Sequence, residues 1–216
     1  MGKINKGILD GFSGTVGNVV GANWKSINYI RTKPNQVKNP RTPKQMAQRR
    51  KFIACSIFVR GIMSEIVRPI WDQSATNMSG YNYMMQKNIS AFNEKGEISQ
   101  FSKLIIATGP LVRPDIIIDT DKSNAKIFNL SWRYNANIMN YSGEDILHIV
   151  KLIPDKLDNK LLKIDAHAKR QDGHLRLDLS NDMEIQEGCA QHFYFYFSDA
   201  ENSRFSDSQY VGIAVV

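Results

Sequence analysis

FSGTVGNVVGANWKSINYIRTKPNQVKNPRTPKQMAQRRKFIACSIFVRGIMSEIVRPIW, residues 12–71, holds three kinds of sequence in succession. Up to Arg31, glycines at 11, 14, 17 and 21 punctuate Val16, Val19, Val20, Trp24, Ile27, Tyr29 and Ile30. β-Branched and aromatic residues interrupted by glycine predict two or three short strands with tight turns, Lys25-Ser26 among them. So small a meander is marginal alone and needs support. Residues 32–42 carry Pro34 and Pro40 and no periodicity, which predicts an extended connector. Thr42-Pro43 then supplies an N-cap followed by proline at the first helical position. Apolar residues at 52, 55, 59, 62, 63, 66 and 70 share one helical face. They predict a helix from 43 to about 68, roughly 39 Å long. Gly61 weakens it by about 1 kcal/mol relative to alanine, and Pro69 ends or kinks it.

A second helix is predicted from Ser79 to about Phe92, with Tyr81, Met84, Met85, Ile89 and Phe92 as its apolar stripe. Asn93-Glu94-Lys95-Gly96 is its stop signal. After Gly96 the period changes. Strands are predicted at 102–107, 115–119, 125–132, 145–153, 161–170, 174–180, 190–197 and 208–215, the spacing of an all-β sandwich or barrel. Asp172-Gly173 suits a type I′ hairpin turn, which would set Ala168 against Leu177 and His167 against Asp178. Phe193, Phe195 and Phe197 alternate with Tyr194 and Tyr196, so one side of that strand is core. Trp132 resembles the tryptophan that anchors sandwich cores. The fold class read from this pattern is α+β: an N-terminal β-meander with a long helix and a second helix over 1–98, then an immunoglobulin/fibronectin-like antiparallel β-sandwich over 99–216.

Composition is ordinary for a globular protein, 42% hydrophobic and 10% aromatic. The net charge of +7 is one-sided. Residues 1–60 hold 12 lysines and arginines against Asp10 alone, whereas residues 61–216 are net acidic by four charges. No apolar run spans a bilayer and no signal peptide is recognisable, so a cytoplasmic protein is expected. Cys55 and Cys189 form no disulfide framework and read as two separate buried thiols.

The segments MGKINKGILDGFSGTVGNVVGANWKSINYIRTKP, NPRTPKQMAQRRKF, FNLSWRYN, AKRQDGHLRLDL and FYFSDAENSRFSDSQYVG occur in this order. Together they resemble a family of unknown function, of about this length, common in Bacteroides-type bacteria. That resemblance implies no activity, substrate or catalytic residue. Over a short stretch, a strand followed by proline and NPRTPKQMAQRRKF is also similar to the opening of small prophage-encoded proteins, which implies a particle-assembly setting.

GFSGTVGNVVG lacks both the GxGxxG spacing and the GK[ST] ending, so its glycines read as turn residues. His167, His174 and Asp178 would share a hairpin face, yet no HExxH or CxxC spacing accompanies them. Asp119-x-Asp121 lacks the glycine and glutamate of a calcium loop. No GxSxG elbow occurs. The expectation is therefore a non-enzymatic protein with no metal, no cofactor, no membrane contact and no evident small-molecule substrate. The residues singled out are the cations Lys33, Lys38, Arg41, Lys44, Arg49, Arg50 and Lys51, with Arg60 further along. Positive charge early in a helix opposes the macrodipole, so a contact outside the helix explains these residues better. Protein partnership or self-association through this basic region is the first reading, the glycine-rich strands offering unpaired edges. Nucleic acid is the alternative, although no aromatics interleave the cluster; a carbohydrate-binding sandwich is the third.

Overall fold

The computed structural model describes residues 2–3, 12–36, 39–120, 126–135, 141–154, 159–180 and 190–214; Lys38 and Cys189 lie outside these. Helices and antiparallel sheets are both present, so the class is α+β. The chain divides into two compact units, Met1–Thr42 and Pro43–Val216. Among the described residues no helix is long and apolar enough to cross a membrane.

In the first unit, β1 (Gly2–Lys3), β2 (Gly14–Val16), β3 (Val19–Trp24) and β4 (Ile27–Thr32) form an antiparallel sheet in the order β1-β4-β3-β2. Lys25 and Ser26 have φ of 46° and 63°, the left-handed pair of a two-residue hairpin turn. Gly21 is required by close approach. A Cβ there would lie 2.5 Å from Phe12 Cε2 and 2.6 Å from the Phe12 carbonyl oxygen.

The second unit begins with α1 (Pro43–Gly61), and the chain stays helical well past the stop expected near 68. Met63–Trp71 is a π-helix containing Pro69, and α2 (Asp72–Ser74) follows directly. Proline lacks the N–H that an α-helix would give to the carbonyl four residues back, here Glu65. Lys163 Nζ donates to that carbonyl at 2.9 Å. The wider turn and a lysine from the sheet thus let the helix continue through a residue that ordinarily ends one. α3 (Gly80–Asn88) starts at Ser79, whose side chain accepts from the Asn82 N–H at 3.3 Å. It closes in a 3-10 turn, Ile89–Ala91.

Among the described residues, seven strands follow. β11 (Gln209–Ala214), β10 (Ala190–Ser198), β7 (Ile146–Ile153) and β8 (Lys160–Ile164) form one sheet in that order. β5 (Ile117–Thr120), β6 (Ile127–Ser131) and β9 (His174–Asp178) form another. The sheets face each other across Phe128, Leu130, Trp132, Leu147, Ile149, Leu177, Phe193, Phe195 and Phe197. A second core lies on the opposite face of the four-stranded sheet. There Val150, Leu152, Tyr194 and Tyr196 pack with Phe58, Val59, Ile66, Ile70, Trp71 and Met84. The layers run helices, four strands, three strands. The boundary expected at 98/99 therefore falls inside one unit, and it separates helices and sheet that share a core. β10 is buried on both faces, not on one.

Two predicted elements are replaced. The 102–107 segment is no strand: Phe101–Lys103 is a 3-10 turn and the following residues are extended but join no sheet. Its apolar residues Leu104, Ile106 and Ala107 are buried beside the helices. Side chains serve its backbone in place of a ladder. Asn88 bonds both the N–H and the carbonyl of Ile105 (2.7 and 3.0 Å), Trp71 Nε1 donates to the Ile106 carbonyl (2.8 Å), and the Ile106 N–H donates to Ser208 Oγ (3.0 Å).

The hairpin expected at Asp172-Gly173 does not form either. β8 pairs with β7 in one sheet and β9 with β6 in the other, so this stretch crosses between sheets. A 3-10 turn, Arg170–Asp172, makes the crossing, and Gly173 ends it with φ of 72°. The buried Arg170 pins the turn through Asp145, 2.8 Å from Nε to Oδ2, and Trp132 Nε1 donates to the Arg170 carbonyl at 2.7 Å. Pairing of His167 with Asp178 is lost with the hairpin, and both histidines flanking the turn are exposed.

Candidate partner-binding face

α1 has the sequence PKQMAQRRKFIACSIFVRG, with five cations and no acid. Successive residues advance 100° around a helix, so its apolar residues fall into two groups. Cys55, Phe58, Val59 and Ile62 face the core. Burial there pushes the Cys55 thiol up to about 12, an unreactive group at neutral pH.

Ile53 and Ile57, four residues apart, stand on the opposite side. They are 57% and 49% exposed; Phe52, 54% exposed, lies at the edge between the core side and this one and shares a groove with Ile53. Periodicity alone puts Phe52 in the buried seam, and the (i, i+4) spacing of Ile53 and Ile57 is the sequence signal for this second side. Two shallow grooves flank Ile53. One, about 430 Å³, is lined by Gln45, Gln48, Arg49, Phe52 and Ile53. The other, about 250 Å³, lies between Arg50, Ala54, Ile57 and the Lys95–Gly96 turn.

The cations form no single stripe of charge: Arg49 and Arg50 border Ile53 in the two grooves, and Lys51 stands further round the helix. Arg49, Arg50 and Lys51 are consecutive and so fan around about 200° of the helix. Arg50 Nε donates to the Glu94 carbonyl at 2.9 Å, tying α1 to the loop after α3. Asn93 Oδ1 organises that loop by accepting from the N–H groups of Lys95 and Glu97. Arg49 Nη1 lies 3.9 Å from Met46 Sδ, and Lys44 is exposed at the start of the helix. Lys33 and Arg41 belong to the first unit, so the predicted set is divided between the two compact units. Lys38 lies outside the described residues.

The histidines are dispersed. His148 hydrogen-bonds Ser198 and stacks on Tyr196, while His192 hydrogen-bonds Tyr210 and stacks on Phe101. Among the described residues no three His, Cys, Asp or Glu side chains converge as metal ligands would.

Against known proteins, the chain is placed by sequence and not by structure. No curated protein matches it. One similar solved structure is that of the chicken CNTN1 FN1-FN3 domains, at 9% identity and a TM-score of 0.31, covering 50% of this chain. The chain spans 33% of that structure's length. Residues 11–212 match the family of unknown function DUF6266, and the chain belongs to that family.

Proposed function

We propose that this member of a family of unknown function is a non-enzymatic interaction protein, which binds an acidic protein partner through the outer face of α1. One observation carries the reading: Phe52, Ile53 and Ile57 are about half exposed on a helix whose charged residues are all cations. Complete burial of such a side chain contributes about 1.5–3 kcal/mol, so covering the exposed halves of three supplies roughly 2–4 kcal/mol. Bordering cations disfavour a second copy of the same face and favour carboxylates around an apolar centre. The two sheets are read as an immunoglobulin-like scaffold holding α1 in place. Likeness of NPRTPKQMAQRRKF to prophage-encoded proteins supports an assembly setting. Nucleic acid is the weaker reading, because cations fanned around a helix do not track a phosphate backbone.

A photo-crosslinking residue at position 53, expressed in the native host, tests the proposal beside the same residue at exposed Arg176. Position 53 should yield a discrete adduct with an acidic protein, while position 176 does not. Equal adducts from both positions, or none from 53, overturn it. Light scattering at about 100 μM separates self-association, which would show as a dimer mass in the absence of partner.

A further inference from the structure

A different part of the second unit carries a cleft separate from the α1 face. A cleft of about 420 Å³ opens between α3, the 102–113 segment and the start of β11, within the size range of small-ligand sites. Its floor is rigid. Trp71 and Asn88 hold the 105–106 backbone from the helical side, as described above, and Ser74 Oγ donates to the Thr108 carbonyl at 3.2 Å. From the strand side, the Ser208 N–H donates to the Ala107 carbonyl at 3.0 Å.

Asp207 is set into this wall. Its Oδ1 accepts from Thr108 Oγ1 at 2.8 Å and from the Gly109 N–H at 3.3 Å, so that oxygen is committed. Arg113 and Lys87 line the same cleft, and among the described residues neither has a carboxylate partner. Lys87 Nζ lies 5.5 Å from the Tyr83 ring centre, and Tyr83 and Tyr210 give the cleft aromatic surface. Tyr210 directs its hydroxyl to His192 at 2.9 Å, and its half-buried ring, packed against His192 and Tyr194, forms part of the cleft wall.

We infer that this cleft binds a monosaccharide-sized polyhydroxylated anion. A carboxylate or phosphate group is held by Arg113 and Lys87, a guanidinium being suited to two parallel bonds with either oxyanion. Hydroxyl groups donate to Asp207 Oδ2. The less polar ring face lies against the tyrosines. Residues 87, 113 and 207 meet only through tertiary folding, so no linear motif announces them.

The test is calorimetric titration of the full chain, at constant ionic strength, with glucuronate, glucose 6-phosphate, glucose and inorganic phosphate. Both anionic sugars should bind, and neutral glucose should bind about tenfold more weakly or worse, the effect of losing one charge-assisted contact. Arg113→Gln and Lys87→Gln alter exposed side chains and should each weaken the anionic sugars about fivefold or more without moving the thermal midpoint. Asp207→Asn, which keeps an acceptor for Thr108 and Gly109 but removes the ionised acceptor for sugar hydroxyls, should weaken the two anionic sugars relative to inorganic phosphate. A preference for one anionic sugar identifies the oxyanion as carboxylate or phosphate. Overturning results are no binding by either anionic sugar, binding indifferent to Arg113 and Lys87, or phosphate binding as tightly as the sugars. These outcomes are independent of the crosslinking result at α1.

Discussion

Replacing Arg170 by methionine removes the pin where the chain crosses between sheets. Arg170 and Asp145 side chains are 1% and 2% exposed, and Nε lies 2.8 Å from Oδ2. Arg170 Nη2 also donates to the Val112 carbonyl at 3.0 Å, and the guanidinium lies between two rings, 3.8 Å from Phe197 and 4.3 Å from Tyr141. Methionine fills much of the volume but leaves the buried Asp145 carboxylate with only the Ser142 N–H as donor and takes a donor from the Val112 carbonyl. Removing one partner of a buried pair costs about 3–5 kcal/mol, largely for the charge left behind. An expected loss of about 4 kcal/mol is a large share of a stability that for most domains is about 5–15 kcal/mol. Asp145→Asn alone should cost about 3 kcal/mol. The double variant should lose about 5 kcal/mol, less than the sum, because neither charge is then unpaired. Urea unfolding followed by tryptophan fluorescence and by far-UV circular dichroism measures all four corners of the cycle. A loss below about 1 kcal/mol for Arg170→Met, or strict additivity of the pair, would refute the argument that this turn depends on a buried ion pair.

Asn88→Ala should cost about 2–4 kcal/mol, since it leaves both the N–H and the carbonyl of Ile105 without their side-chain partner; the same urea titration reads it. Gly21→Ala drives a methyl group into Phe12, so hydrogen exchange should accelerate across β3 and β4 while β7 and β10 amides keep their protection. Stability should decline as pH rises above about 9. The Cys55 thiol, ordinarily at 9.0, is pushed up to about 12 by burial, so the unfolded chain ionises first and the stabilisation is lost between those values. Tyr194 and Tyr196, also pushed up chiefly by burial, extend the decline to higher pH, and Cys55→Ala should remove its first part. A flat melting temperature from pH 8 to 10.5 would contradict this.

Local signals in the sequence carry the elements and little of their pairing. Lys25-Ser26, Thr42-Pro43, Ser79 and Asn93 act through backbone geometry within a few residues, and each marks a turn, start or stop in the structure. Asp172-Gly173 has the same kind of local chemistry, yet the decisive partner of this turn is Asp145, far away in sequence. A left-handed glycine serves equally well as the end of a 3-10 turn. Leu104 and Ile106 read as strand because periodicity reports burial, and burial there comes from packing against helices. The α1 face was half legible. Its charge was plain, but a helix apolar on two sides resembles a helix with one broad apolar side until the fold determines which side the core takes. The 87/113/207 cleft had no sequence signature at all.

Because phenylalanines leave β10 on one side and tyrosines on the other, the strand is a party wall between two rooms. Cutting the chain at residue 99 would strip one room from the wall and leave Val150, Leu152, Tyr194 and Tyr196 facing solvent. The sandwich is therefore not a portable cassette. The consequence for α1 is orientational: the helix is plastered to that wall along its inner side, so its outer side is presented at a fixed angle to both sheets.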